Sequence, residues 1–148
     1  MKTVFDKATR EELIGRINAL DKDNVALWGK MNILQMLRHC TLWEEWVAGK
    51  VSYRRAFIGR IFGKMALKNV LKDDKPLGHN MPTLPQLRMA DVIGDVAAEK
   101  AKWIGYLEGY ANFSDREFVH AFFGKMTREQ IGYMAYKHAD HHLRQFNG

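Results

Sequence analysis

A single cysteine, Cys40, is the only thiol in this chain, so no intramolecular disulfide can form and a reducing compartment is expected. Proline is scarce: Pro76, Pro82 and Pro85 fall within ten residues, and the rest of the chain is free of the strongest helix breaker. Nowhere is there an apolar run of about 18 residues, the minimum for a membrane-spanning helix. The opening Met1–Lys7 runs directly into charged sequence and lacks the apolar stretch of a signal peptide. These absences point to a cytoplasmic protein with no membrane partner. Acidic residues are outnumbered, 17 against 23 Lys and Arg, but the excess of +6 is local. Residues 50–75 carry Lys50, Arg54, Arg55, Arg60, Lys64, Lys68, Lys72 and Lys75 against only Asp73 and Asp74, which accounts for all of it. The remainder is neutral in sum, which disfavours a nucleic-acid protein coated in positive charge.

What is present suits one helical domain. At 148 residues, with 47% apolar and 27% charged side chains, residues 1–148 form a single unit with ordinary globular composition. About 68–70% of the unfolded surface can be buried at this size. Thr9-Arg10-Glu11-Glu12 has capping-box spacing and predicts a first helix through Leu13, Ile17 and Leu20. Asn32 caps a second, running through Ile33, Leu37, Cys40, Trp43 and Val47 toward Gly49. Residues 53–72 form a helical stretch in which Arg60, Lys64, Lys68 and Lys72 repeat every four residues. Ile58, Ile61, Phe62, Met65 and Leu71 supply its apolar side, while Gly59 and Gly63 weaken its start. Leu77–Leu87 reads as a loop, and Asp91–Tyr110 as a long helix with Val92, Val96, Ala97, Ala101, Ile104 and Leu107 inward. Asn112–Lys125 lacks a sustained period and reads as a connector. Thr127-Arg128-Glu129-Gln130, a second capping box, opens the last helix. The expected fold is all-α: an up-and-down four-helix bundle with an additional basic helical segment.

The chemistry concentrates near the C-terminus, where His138-Ala139-Asp140-His141-His142-Leu143-Arg144-Gln145 places three imidazoles within five residues. Ile131, Met134, Ala135, His138, His142 and Gln145 follow one another at steps of three or four, so the rings continue the core-facing stripe. Lys137, Asp140 and Arg144 form its solvent side. Two imidazoles four residues apart can converge on one ion, and an open zinc site needs a third protein ligand. His39, on the tryptophan-lined face of the second helix, is the only histidine on another predicted helix; His79 and His120 fall in loops. The candidate triad is His39, His138 and His142. His141 shares a face with His138 at i,i+3 and is the alternative to His142, or else borders the site. Gln35, Gln145, Glu44 and Tyr136 are within reach as outer partners of the rings. Ala139 stands where a zincin-type protease carries its glutamate, which argues against proteolysis. Cys40, one residue from His39 but about 100° round the helix, reads as a buried structural thiol.

Residues His138-x-x-His141-His142-x-x-Gln145, with Gln35-x-x-x-His39 upstream, resemble the DinB/YfiT-like superfamily of four-helix proteins read as metalloenzymes. His120-Ala121-Phe122-Phe123-Gly124-Lys125-Met126-Thr127 is similar to one uncharacterised subfamily, in which a His-Pro-x-Phe-Gly pattern is usual. Ala121 stands in place of the proline, which bears on the rigidity of the connector and not on the metal site. The resemblance implies a divalent ion bound by His39, His138 and His142. It also implies a chemistry like that of relatives that use a metal to activate a low-molecular-weight thiol, and a homodimer.

Three neutral imidazoles suit zinc or nickel first, with iron or manganese next. The function expected is that of a metal-dependent thiol S-transferase, with hydrolysis behind it, acting on a small molecule. Arg60, Lys64, Lys68 and Lys72 would receive the carboxylates of an anionic thiol. The alternative is a non-catalytic helical module that uses the basic 53–72 segment to bind an anionic partner.

Overall fold

Side-chain caps decide where most of the helices begin. In the computed structural model, which describes residues 1–148, five α-helices run over Lys7–Ala19 (α1), Ile33–Val47 (α2), Phe57–Val70 (α3), Val96–Gly109 (α4) and Arg128–Gln145 (α5). Asn32 caps α2 and Thr127 caps α5, each exchanging hydrogen bonds with a glutamine three residues on, Gln35 and Gln130. Two starts differ from expectation. Helix α1 opens at Asp6, whose carboxylate accepts from the backbone N–H and the hydroxyl of Thr9, both at 2.8 Å. Thr9 is therefore inside the helix and is not its cap. Helix α4 starts at Val96 and not near Asp91, because Asp95 accepts from the Ala98 N–H at 2.8 Å.

The bundle is built from α1, α2, α4 and α5. Both α1 and α2 pack against α4 and α5, so the order round the core is α1, α4, α2, α5. Trp103, Leu107, Leu37, Ile17, Leu143 and Phe146 are almost wholly enclosed at its centre. The inner face of α4 is Glu99, Trp103, Leu107 and the following Tyr110, while Ala97 and Ala101 are exposed. The large indole, with far more apolar area than two methyl groups, sets the rotation of the helix.

Helix α5 is enclosed on nearly every side, which corrects the assignment of Lys137 and Asp140 to solvent. Lys137 is 6% exposed and donates to the carbonyls of Val70 and Lys75 at 2.8 and 2.9 Å, closing the end of α3. Asp140 is 5% exposed and is held by Arg16 and Arg144 at 2.8 and 2.7 Å. A buried charge is tolerable when it is paired and hydrogen-bonded in this way.

Residues 112–125, expected as a plain connector, carry most of a small antiparallel hairpin of Phe118–His120 (β1) and Gly124–Met126 (β2). Helix α3 docks on this hairpin, through the face opposite to the one its apolar residues suggest. A Cβ at Gly59 or Gly63 would overlap the carbonyl oxygen of Phe122, so both glycines are needed for close backbone approach. With Gly59, Gly63 and Leu67 turned inward, Phe57, Ile58, Ile61, Phe62 and Met65 are left 49–77% exposed. The glycines that weaken the helix are thus its docking surface.

Glu44 lies in the α2–α4 core, 3% exposed, and accepts from the Tyr110 hydroxyl at 2.6 Å. Burial raises its carboxyl pKa to about 7, against an opposing effect of the Tyr110 hydrogen bond. The folded chain therefore holds this proton where the unfolded chain has lost it. Stability from this group is full below about pH 4.5 and is lost as the pH rises through about 7. Glu44→Gln should gain on wild type by on the order of 3 kcal/mol between pH 4.5 and 8. Urea denaturation across that range checks this, and parallel curves for the two proteins would contradict it.

Candidate metal centre

Helices α2 and α5 pack side by side, and their facing surfaces carry the histidines. His39 comes from the middle of α2, and His138 and His142 lie one turn apart near the end of α5. The Nε2 atoms of His39 and His138 are 3.0 Å apart, and ring centroids are 4.7 Å apart for His39–His142 and for His138–His142. One ring nitrogen from each residue lies within 4.8 Å of the others. Two nitrogens bound tetrahedrally at about 2.0–2.1 Å from zinc would be roughly 3.4 Å apart. The observed spacing therefore fits a shared ion with sub-ångström movement of the rings.

The outer nitrogens support the same reading. His39 Nδ1 is 2.9 Å from the Leu87 carbonyl, an acceptor only, so Nδ1 carries the proton and Nε2 is the accepting nitrogen, which takes a hydrogen bond from His138 Nε2 at 3.0 Å. His142 Nδ1 likewise donates to Gln145 Oε1 at 2.9 Å, leaving its Nε2 lone pair free. Donation by the outer N–H to a fixed acceptor is the arrangement that orients metal-bound imidazoles. Gln145 is held in turn, its side-chain amide donating to the Trp28 carbonyl at 2.8 Å. Gly29 makes room for it: the backbone there has φ +81°, and a Cβ would lie 2.7 Å from Gln145 Nε2.

Burial lowers the pKa of all three rings, well below the usual imidazole value for His138 and His142. The neighbouring imidazoles lower it further, His142 and His39 acting on His138 and His39 acting on His142. Neutral rings at pH 7 are what a divalent cation requires, and an ion would take the place of the proton shared between His39 and His138.

The trio forms part of the wall of a cavity of about 680 Å³ between the bundle, α3 and the 77–87 loop. Trp28, Trp43, Leu77, Leu84, Phe122 and Phe123 make its lining largely apolar. His141, half-buried, also lines it and faces Trp28 at 5.6 Å, outside the group of three. Gln35 is used by the α2 cap and donates to the Ala90 carbonyl at 2.6 Å, so it supports no ring. Glu44 is turned to Tyr110. Arg60, Lys64, Lys68 and Lys72 are exposed, and none lines this cavity. The Cys40 thiol is enclosed against Met36 Sδ at 3.7 Å, and burial holds its pKa well above normal. His120, set aside as a loop residue, does line the cavity, as does Leu87. No alternation in the sequence marked the strand that carries it, because the exposed middle residue, Val119, is apolar.

A family model described as the DinB superfamily matches residues 6–146, and the chain belongs to that superfamily. No curated protein and no solved structure matches it. If the group holds an ion, elemental analysis should find about one equivalent of divalent metal per chain, with His39→Ala, His138→Ala and His142→Ala each losing it. Gln145→Ala should bind the same equivalent about 10–100-fold more weakly in a chelator competition. Unchanged metal content in all three histidine variants would contradict the assignment.

Proposed function

We propose that this DinB-superfamily chain is a metal-dependent enzyme acting on an apolar small molecule, with thiol S-transfer as the leading reaction and hydrolysis as the next. The observation that supports it is the convergence of three neutral imidazoles on the wall of a largely apolar cavity. His39, His138 and His142 are the ligands in this reading, and Gln145 and the Leu87 carbonyl orient two of them. When bound, a divalent ion supplies the lowered pKa that makes water or a thiol nucleophilic near neutrality.

The chain's own residues supply the rest. Three neutral ligands leave the full positive charge of an ion available to its remaining ligand. The aromatic walls at Trp28, Trp43, Phe122 and Phe123 exclude water and hold an apolar electrophile close. His141, at the same wall and held below the usual imidazole pKa chiefly by burial, is positioned to accept a proton. An anionic thiol would find Lys30, which lines the cavity, in place of the more distant basic stripe of α3.

A second reading rests on the exposed face of α3. There Phe57, Ile61 and Met65 stand beside Arg60, Lys64 and Lys68, an arrangement suited to an anionic partner. Retention on heparin that falls steeply with salt and drops in Lys64→Glu/Lys68→Glu would support it; absence of retention at low salt would remove it.

The enzymatic reading is tested with zinc- or nickel-loaded protein, glutathione, cysteine or coenzyme A, and 1-chloro-2,4-dinitrobenzene. Thiolate sulfur bonds to the ring carbon as chloride leaves, and conjugate absorbance reports the rate. A 4-nitrophenyl ester tests hydrolysis. Metal-dependent turnover that falls at least about 100-fold in His138→Ala is expected. Fully metal-loaded protein with no turnover on either substrate class would overturn it.

A further inference from the structure

His120 ends β1 with its ring packed between Trp46 and Phe123, at centroid distances of 4.6 and 4.5 Å, and it is 7% exposed. Its Nδ1 accepts two backbone hydrogen bonds, from the N–H of Phe122 at 3.1 Å and of Phe123 at 3.0 Å. An imidazole nitrogen that accepts must be unprotonated, so the neutral ring carries its one proton on Nε2. Burial, and then the nearby charge of Arg55, push the pKa of this ring down to about 3. The tautomer is thus fixed by the hairpin turn, and the ring stays neutral at any physiological pH.

Both hydrogen bonds of the ring are at Nδ1; Nε2 makes none within the protein, and the ring lines the cavity described above. An N–H on the wall of a largely apolar cavity meets few acceptors there, and one arriving with a ligand supplies the missing interaction. Around it stand the aromatic rings of Trp43, Phe122 and Phe123. An uncharged donor in an aromatic wall does not offset the cost of desolvating an anion, so a neutral oxygen acceptor is the better match.

We propose that His120 is a substrate-binding residue whose Nε2–H donates to a carbonyl-type oxygen on an aromatic or otherwise apolar ligand in the cavity. Since the ligand is the substrate assigned to that cavity above, the proposal rests on that reading of the cavity. It adds a substrate class: an apolar body bearing a neutral oxygen acceptor. The hairpin then has a purpose beyond linking α4 to α5, because its turn amides hold the ring in the donating form.

The probe pair is 2-acetylnaphthalene and 2-ethylnaphthalene, which share a ring system and differ in the acceptor. Binding is read on the full chain without added metal, from quenching of tryptophan fluorescence. Wild type should prefer the ketone by about five- to tenfold, one neutral hydrogen bond. In His120→Asn the amide oxygen can take the place of Nδ1 and keep the turn, but nothing reaches the position of Nε2; the preference should vanish. His120→Gln restores an N–H near the position of Nε2 and should recover it. Nitrogen-15 spectra of the wild-type ring should show the proton on Nε2 and no titration between pH 5 and 8.

A proton on Nδ1, equal binding of the two probes by wild type, or an undiminished ketone preference in folded His120→Asn would overturn the proposal. Loss of the preference in both variants alike would also do so, since the ring would then be acting only through the turn. Because no metal is added, a negative result here leaves the His39–His138–His142 centre standing. A chain that binds no metal leaves this result unaffected.

Discussion

The 3.0 Å approach of His39 Nε2 to His138 Nε2 across the α2–α5 seam is the constraint around which the molecule is arranged. Two charged imidazoles could not occupy that spacing inside apolar surroundings, so the site exists only while its rings are neutral. Neutrality is enforced from outside the trio: burial lowers each pKa, and carbonyl acceptors on Leu87 and Gln145 fix which nitrogen of His39 and of His142 carries a proton. The bundle core and the loops at 28–30 and 77–87 therefore serve one electrostatic end. They turn the inner nitrogens of the three rings toward a common point.

The same device recurs at His120 with backbone in place of side chains. Two turn amides occupy Nδ1 there, so the free nitrogen is a donor, whereas in the trio outer acceptors leave bare nitrogens. One cavity thus presents a cation-seeking group and an acceptor-seeking group, both uncharged. That combination suits a neutral substrate polarised at one atom, and it separates this cavity from the strongly basic surface of α3.

Helix α3 shows how backbone sterics can override a hydrophobic pattern. Phe57, Ile58, Ile61, Phe62 and Met65 load one side of it, yet the face that docks is the one where Gly59 and Gly63 let the helix meet the Phe122 carbonyl. Close backbone contact along that line leaves Phe57, Ile61 and Met65 outside. The basic row beside them makes the exposed face amphipathic on its own.

Much of the bundle is legible in the chain. Asn32 and Thr127 announce their helices because a cap is a local interaction between residues three apart, and the step of three or four from Ile131 to Gln145 puts His138 and His142 on one face. Local periodicity, however, reports only which residues share a face and not what that face meets. Lys137 and Asp140 look like solvent residues until α3 and α1 close over them with carbonyls and Arg16. Gln35 looks like a partner for His39 until its cap consumes it, and His120 looks incidental until the hairpin turn fixes its proton. The sequence by itself determined the helical class, the starts of α2 and α5 at Asn32 and Thr127, and the histidines available for a site. Tertiary structure alone decided which of those rings meet, which nitrogen of each is free and what walls surround them, because such contacts join residues about a hundred positions apart, such as His39 and His138.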